Sequence, residues 1–222
     1  MKKYCLIFVF LFATISTQAQ ILKKIRVAAN VSLGTTDIIG SEAGKSFGTS
    51  GEETLTSAKI VFNFGATAEM PIVKRLYVQA GLQYKKGGFG QYMGAFKDDL
   101  KINYLSFPVN LRYNLIRKHS FSLHVYGGLY VAGVLNGEMT TEYNGKAETV
   151  KVRFGNDKTR DFAKKVDFGY QCGFGIEQSR VYLNVTVIDK SIINIQTQGD
   201  NDNTMKNTNF LLTLGYFFSK MK

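Results

Sequence analysis

Alternating apolar side chains mark the stretch 208–218 near the end of the chain, which reads TNFLLTLGYFF. One set of alternating positions is wholly apolar and comprises Phe210, Leu212, Leu214, Tyr216 and Phe218. Successive side chains of a β-strand point to opposite faces, so the pattern predicts a strand with one apolar face. A strand of about ten residues with an aromatic end is typical of the closing strand of a transmembrane barrel, whose outer face contacts lipid.

Seven earlier stretches have the same period of two. They are 26–34, 58–70, 75–86, 101–115, 120–133, 166–177 and 180–189. The connections between the predicted strands alternate between long and short along the chain. This pattern predicts an all-β fold: an eight-stranded antiparallel up-and-down transmembrane β-barrel with short periplasmic turns and long external loops, closed by pairing between its first and last strands.

Long connections are predicted at 35–57, 87–100, 134–165 and 190–207. The third contains Asn144-Gly145 between two short alternating stretches, which is a strong signal for a two-residue β-hairpin. We expect this loop hairpin to prolong or flank the neighbouring strands. Pro108 lies inside a predicted strand and cannot donate a hydrogen bond to the ladder, so we expect a local bulge there.

The N-terminal stretch reads MKKYCLIFVFLFATISTQAQ, with two lysines, an apolar run and small residues before a cut after Ala19. These features predict a secretory signal peptide at 1–19 followed by a barrel domain at 20–222. The apolar run is shorter than the roughly 20 residues that a membrane-spanning helix needs. Cleavage would leave Cys172 as the only cysteine, which excludes an internal disulfide.

Composition agrees with an exported β protein. Hydrophobic residues make up 45% of the chain, and it contains 17 Phe, 12 Tyr and 22 Gly but only 2 Pro, a profile that favours strands and turns over disorder. The net charge of +11 does not indicate a nucleic-acid partner, because the basic residues lie in turns and at strand ends rather than in one stripe. Many of them fall at the short-turn end, where we expect contacts with lipid headgroups.

Four segments resemble the PorT-type outer-membrane β-barrel proteins. They read FNFGATAEMPIVKRLYVQAGLQYKKGGFG at 62–90, INYLSFPVNLRYNL at 102–115, FSLHVYGGLYVAGVL at 121–135 and LLTLGYFF at 211–218. The resemblance implies an eight-stranded barrel integral to the outer membrane. It implies little about activity, because most members of the group have no assigned task; the named member is linked to protein secretion. The chain departs from the group in its ending, where residues 219–222 follow the final aromatic residue.

Charged residues on the faces opposite the apolar ones are expected to point into the barrel. They are Arg26, Glu69, Lys85, Arg112, Asp167 and Glu177. By strand position, Arg26, Glu69, Arg112 and Glu177 lie near the periplasmic end, so we predict that these four form one lumen charge network. Its function could be a gated proton or ion path, or a structural plug; the plug is favoured because side chains can fill an eight-stranded interior.

Other candidate chemistry in the sequence is weak. The two histidines, His119 in a turn and His124 on an inward face, have no nucleophile motif beside them. Asp200-Asn201-Asp202-Asn203 contains oxygen ligands but lacks the glycine and distant glutamate of a calcium loop. The stretch 87–90 is rich in glycine but opens no helix, so it is not a phosphate-binding loop. We therefore predict no catalytic residues, cofactor or metal.

The sequence thus predicts a non-enzymatic outer-membrane barrel that presents external loops to a partner or supports envelope or secretion functions. The expected partners are outer-membrane lipid and an external or secretion-system protein, with no nucleic acid, and the barrel is expected to be a monomer. Two alternatives remain. One is a small outer-membrane pore, and the other is an exported soluble eight-stranded ligand carrier, which would reverse the apolar and polar faces.

Overall fold

A computed structural model describes residues 25–39, 55–93, 96–155, 161, 164–192 and 206–219. The strands are β1 (Arg26–Ile39), β2 (Leu55–Ser57), β3 (Lys59–Val73), β4 (Leu76–Met93), β5 (Phe96–Lys118), β6 (Phe121–Tyr143), β7 (Lys146–Lys151), β8 (Val166–Gln178), β9 (Val181–Ser191) and β10 (Lys206–Phe217). No helix in these ranges has the length and apolar character needed to cross a membrane.

Eight of the strands form a closed antiparallel ring. Their order around the ring is β1, β3, β4, β5, β6, β8, β9 and β10, and β10 pairs back onto β1 from Ala28↔Phe217 to Ile39↔Lys206. The predicted eight-stranded up-and-down barrel is therefore confirmed, including closure between the first and last strands. β2 pairs with β4, and β7 pairs with the far end of β6.

The wall of the barrel is apolar outside and polar inside. On β1, Val31 and Leu33 are 43% and 56% exposed, whereas the alternating residues Asn30 and Ser32 are 5% and 6% exposed. The other ring strands repeat this alternation over most of their length, except at 87–91 on β4 and at a register shift near the end of β9. This is the arrangement of a barrel surrounded by lipid, and it is the reverse of the apolar interior that a soluble ligand carrier requires.

Three tight turns close one end of the barrel, called the short-turn end below. They join β3 to β4, β5 to β6 and β8 to β9, as the sequence predicts. His119 and Ser179, in the second and third of these turns, have positive φ values of 41° and 60°. The opposite end, where the long connections lie, is called the loop end.

The prediction of a loop at 87–100 is wrong. β4 and β5 continue through this stretch and stay paired as far as Met93↔Phe96. Gly88, with φ of 127°, lies so close to the Leu100 carbonyl that a side chain would overlap it. Only glycine readily adopts this backbone conformation. It allows Phe89 to pack with Leu100 and Ile102. The glycine-rich stretch, whose sequence resembles a loop, therefore continues the strand.

The connection 134–165 also contains regular structure. β6 continues to Tyr143, and β7 returns along it from Tyr143↔Lys146 to Glu138↔Lys151. β6 pairs with β8 only as far as Gly133↔Val166, so beyond this point β7 takes the place of β8. Strands β4, β5, β6 and β7 thus extend beyond the ring as one sheet, called the external sheet below.

The bulge expected at Pro108 does not occur. Pro108 pairs in regular register with Tyr130 on β6. On its other side, the ladder with β4 skips from Ala80↔Val109 to Gln83↔Ser106 without a change of register. The prolyl ring lies against Gly81, where a Cβ would be 3.2 Å from Pro108 Cγ. A missing side chain on the neighbouring strand, rather than a bulge, accommodates this proline.

Several predicted features lie outside the described residues. These are the signal peptide at 1–19, the middle of the connection 35–57, the four residues 200–203 within the connection 190–207, and the last residues of the tail 219–222.

Candidate functional site

Four charged side chains from four strands meet inside the short-turn end of the lumen. Arg26 on β1 lies directly opposite Glu69 on β3, Arg112 is on β5 and Glu177 is on β8. Each occupies an inward position of its strand, so the ring brings together residues as far apart in sequence as 26 and 177. The structure thus places all four residues of the predicted lumen charge network in one group, called the lower cluster below.

Each arginine of the lower cluster bridges both glutamates. Arg112 donates from Nη1 to Glu69 Oε2 at 2.8 Å and from Nη2 to Glu177 Oε2 at 2.7 Å. Arg26 donates from Nη1 to Glu177 Oε1 at 2.5 Å and from Nη2 to Glu69 Oε1. Two guanidinium forks therefore hold two carboxylates in a closed ring of charge-assisted hydrogen bonds.

Neighbouring side chains complete the hydrogen bonding of the lower cluster. Gln79 donates to Glu69 Oε2 at 2.8 Å, and Ser122 Oγ and Asn114 Oδ1 accept from Arg112 at 3.0 and 3.2 Å. The Phe217 ring lies 3.9 Å from the guanidinium carbon of Arg26. The buried charges are thus paired, hydrogen-bonded and covered by an aromatic ring. These contacts offset the desolvation free energy of burying ions in a protein interior.

The lower cluster is electrically neutral and fills its section of the barrel. Arg112, Glu69 and Glu177 are at most 1% exposed. Two positive and two negative charges cancel, so the group sets up no net charge that would attract an ion of either sign. All four charged side chains of the lower cluster are thus engaged with one another inside the barrel.

The middle of the lumen is polar and narrow. Ser32 and Thr213 hydroxyls lie 2.8 Å apart, and the Tyr126 hydroxyl lies 2.6 Å from that of Thr186. The space enclosed here has a volume of about 40 Å³. That is room for a few water molecules and too little for an organic ligand.

A second group of charges lies further toward the loop end. Lys85 on β4 donates from Nζ to both carboxylate oxygens of Asp189 on β9, each at 2.7 Å. Asn209 donates to Asp189 Oδ1 at 3.1 Å, and Lys85 Nζ lies 4.4 Å from the centre of the Tyr130 ring. Lys85, Asp189 and the nearby Asp167 are called the upper cluster below.

Asp167 differs from the other inward carboxylates because its hydrogen-bond donors are neutral. Its Oδ2 accepts from Ser191 Oγ at 2.8 Å and from Asn207 Nδ2 at 3.2 Å, and Asn207 also donates to the Tyr104 hydroxyl at 3.0 Å. Among the described residues no lysine or arginine lies within 4 Å of it. The upper cluster therefore has one positive and two negative charges.

The alternation of β9 in the sequence places Asp189 on the outward face, but the strand changes register before this residue. β9 contains a bulge between its pairs Cys172↔Ile188 and Gly173↔Thr186 with β8. Val187 and Ile188 are consequently both exposed, at 49% and 44%, and Asp189 turns inward to 1% exposure. Two consecutive apolar residues before an aspartate are the local signal of this switch.

The two histidines and Cys172 lie in different environments. His124 is buried and its Nε2 lies 2.9 Å from Asn184 Oδ1, whereas His119 is exposed in its turn. Cys172 is free and only partly buried. No nucleophile is paired with either histidine in the described part of the chain.

Asn144 and Gly145 lie at the tip of the external sheet. Their φ values of 48° and 76° are those of a two-residue turn that joins two antiparallel strands, and Tyr143 pairs with Lys146 across it. All six residues of β7 are exposed. β7 pairs with β6 along one edge, and within the described ranges its other edge pairs with no strand.

A family model described as an outer membrane protein beta-barrel domain matches residues 18–189 of the chain. No curated protein sequence matches it.

The chain is also similar to several solved structures. The Ail protein of Yersinia pestis, in complex with the heparin analogue sucrose octasulfate, is 13% identical with a TM-score of 0.47, over 88% of this chain and 99% of that one. OprG of Pseudomonas aeruginosa is 13% identical with a TM-score of 0.44, over 88% and 95%. Neisserial surface protein A is 9% identical with a TM-score of 0.44, over 86% and 96%.

Proposed function

The chain belongs to the outer membrane protein β-barrel domain family and lies in the outer membrane, and from this premise we propose that it is a non-enzymatic barrel whose external sheet binds a protein partner. The observation that supports this proposal is the edge of β7 that pairs with no strand in the described part of the chain. An exposed edge strand offers a row of backbone N–H and C=O groups to which an extended segment of a partner can add as a further strand.

The arrangement of charges on β7 favours a specific partner over self-association. Lys146, Glu148 and Lys151 are the charged residues of this six-residue strand. Charged side chains on an edge strand oppose pairing with an identical edge, because like charges then face each other. A partner strand with complementary charges would be accepted, and the barrel itself would remain a monomer.

The contents of the lumen support a plug rather than a pore. The lower cluster closes the short-turn end with four paired charges, and the space between the two clusters is about 40 Å³. Planar-bilayer recordings of the purified protein should therefore contain no single-channel steps. Regular conductance steps from the unmodified protein would instead support the small-pore alternative.

A closer relationship to the PorT-type barrels, which the segments at 62–90 and 102–115 suggest, would make the partner a component of the cell envelope or of a secretion system. The signal peptide at 1–19 would direct the chain there. Under this proposal β7 is a docking strand for that component, and the barrel is its membrane anchor.

The proposal is tested with a photoreactive amino acid placed at Ala147 or Thr149 on β7. Irradiation of whole cells should give an adduct of one defined size. The double variant Asn144→Val/Gly145→Val should lose this adduct, because β-branched residues strongly disfavour the positive φ values of the turn. Barrel folding is followed separately, by the change in gel mobility of the outer-membrane protein on heating.

Two controls accompany this experiment. Asn144→Asp keeps a residue pair that favours the same turn and should retain the adduct. A photoreactive group at Leu111, on the lipid-facing wall, should not give it. An adduct that persists in the Val-Val variant, or that also forms from Leu111, would contradict docking on β7.

A further inference from the structure

A groove with a volume of about 750 Å³ crosses the outer wall at the base of the external sheet. Its charged lining residues are Lys59, Lys86, Lys101, Lys151, Lys165 and Glu138. Five lysines therefore face one carboxylate. The lumen differs in this respect, since there each arginine of the lower cluster is paired with carboxylates.

The position of the groove relative to the apolar wall is defined by the outward residues of β4 and β5. On β5 these are apolar from Leu115 up to Leu105, and the next two outward positions are Asn103 and Lys101. On β4 the outward residue Tyr84 pairs with Leu105, and the next outward residue is Lys86. The groove thus begins where the apolar wall ends.

The height of the apolar wall agrees with the thickness of a membrane. Leu115 and Leu105 are ten residues apart, which at about 3.3 Å per residue and the usual tilt of about 40° corresponds to about 25 Å along the barrel axis. This equals the height of the apolar band of outer-membrane barrels. Lys86 and Lys101 therefore lie at the level of the lipid headgroups on the loop side of the membrane.

The interrupted ladder between β3 and β4 opens the wall at this level. The β3–β4 pairs end at Phe64↔Tyr84, and pairing resumes only with β2 at Ser57↔Gly90. In between, Asn63 Oδ1 accepts a hydrogen bond from the Lys86 backbone. Lys59 reaches across β4 to form an ion pair with Asp99 on β5. The groove starts at this interruption and continues toward Lys165.

The charges of the groove are only partly compensated. Glu138 lies in register between Lys101 and Lys151, and Lys101 Nζ is 3.7 Å from Asp99. Lys86 and Lys165 are exposed, and the described residues contain no carboxylate within 4 Å of either. The groove thus has an excess of exposed ammonium groups that can donate to phosphate oxygens.

We propose that this groove binds the phosphorylated headgroup of a lipid in the outer leaflet. The lysines supply the charge complementary to phosphate, and the apolar residues directly below them, such as Tyr84 and Leu105, contact the acyl chains of the same molecule. A lipid satisfies both surfaces at once, whereas a soluble anion satisfies only the first. The external sheet is thereby fixed at its base to the membrane surface.

The probe for this site is bisphosphorylated lipid A, added to the full-length protein purified in a neutral detergent. Retention of the lipid is measured by native mass spectrometry, and the apparent Kd is obtained by titration. The triple variant Lys86→Gln/Lys101→Gln/Lys165→Gln should bind about 100-fold more weakly, since each lysine near an anionic membrane surface contributes roughly a factor of five.

Three comparisons make the result decisive. Lys74→Gln/Lys118→Gln removes two exposed lysines from the short-turn end and should leave the Kd unchanged. Replacing the three groove lysines with arginine should retain binding, which separates charge from folding. Lipid A without phosphates should bind as weakly to the unmodified protein as bisphosphorylated lipid A binds to the triple variant.

Two outcomes would overturn the proposal. The first is equal loss of lipid in the groove variant and in the short-turn variant, which would indicate a nonspecific effect of net charge. The second is displacement of lipid A by inorganic phosphate at a similar concentration, which would indicate a site for a soluble anion. Correct folding of every variant is established by the mobility change on heating.

Discussion

The two charged clusters of the lumen differ in how completely their charges are paired. In the lower cluster each carboxylate is held by two arginines, and each arginine by two carboxylates. In the upper cluster Asp189 forms an ion pair with a single lysine, and Asp167 accepts hydrogen bonds only from neutral side chains. The lower cluster has a net charge of zero, and the upper cluster has an excess of one negative charge.

The difference follows from the chemistry of the cations. A guanidinium group is planar and presents several donors in a fixed fork, so one arginine can bridge two carboxylates. The ammonium group of Lys85 is a point charge, and both of the oxygens that it contacts belong to Asp189. The ion pairs of the lower cluster are therefore expected to fix the geometry of four strands, whereas the ion pair of the upper cluster joins only β4 and β9.

The largest expected effect is from Arg112→Met. It removes one of the two cations from both Glu69 and Glu177, which remain buried. Loss of one partner from a buried ion pair costs about 3–5 kcal/mol, and we expect the free energy of unfolding to fall by at least this amount. The measurement is urea unfolding of the barrel in lipid vesicles, followed by tyrosine fluorescence and by gel mobility.

Lys118→Met is the matched control for this variant. It also replaces a basic residue near the short-turn end, but Lys118 is exposed, so the free energy of unfolding should change by no more than about 0.5 kcal/mol. Equal stability of the Arg112→Met variant and the control would mean that the lower cluster does not fix the wall.

A smaller effect is expected in the upper cluster from Lys85→Met. One carboxylate loses its cation, and Asp189 keeps the hydrogen bond from Asn209. We expect the free energy of unfolding to fall by about 3 kcal/mol, the lower end of the range for loss of one partner from a buried ion pair. The double variant Lys85→Met/Asp189→Asn should recover to within about 1 kcal/mol of the unmodified protein, because the unpaired charge is then removed as well.

The inner and outer faces of the barrel could be predicted from the sequence because a strand has a strict period of two. That rule places Arg26, Glu69, Arg112 and Glu177 inside without any knowledge of their contacts. The short-turn ends of their strands give a common level, so their proximity could be predicted as well. No feature of the sequence predicts that each arginine bridges both glutamates. Nor does any feature predict that the Phe217 ring lies against Arg26.

The rule fails where the register changes. The bulge in β9 exchanges inside and outside after Val187, so counting by two places Asp189 on the lipid face. At 87–100, glycines that suggest a loop instead let Phe89 pack against Leu100, and the strands continue. Both errors have one physical origin, because pairing and packing by a neighbouring strand override the local preference of the chain.

The smallest effect is expected from Asp167→Asn, and it is best measured beside Glu177→Gln. Both replace a buried carboxylate by the amide of the same shape, both lie on β8, and they differ in cluster. Glu177→Gln removes the negative charge that Arg26 and Arg112 share, and should cost about 3 kcal/mol or more. Asp167→Asn removes a charge that has no cation within 4 Å in the described structure and keeps an oxygen for Ser191 and Asn207.

The free energy of unfolding of the Asp167→Asn variant should therefore stay within about 1 kcal/mol of the unmodified value. Urea unfolding in vesicles at neutral pH gives both numbers in one experiment. If the two variants were destabilised equally, burial of a carboxylate alone would determine the cost, and the pairing that distinguishes the clusters would have no energetic role. A loss confined to Glu177→Gln would mean that the number of cations around each carboxylate sets its contribution to the barrel.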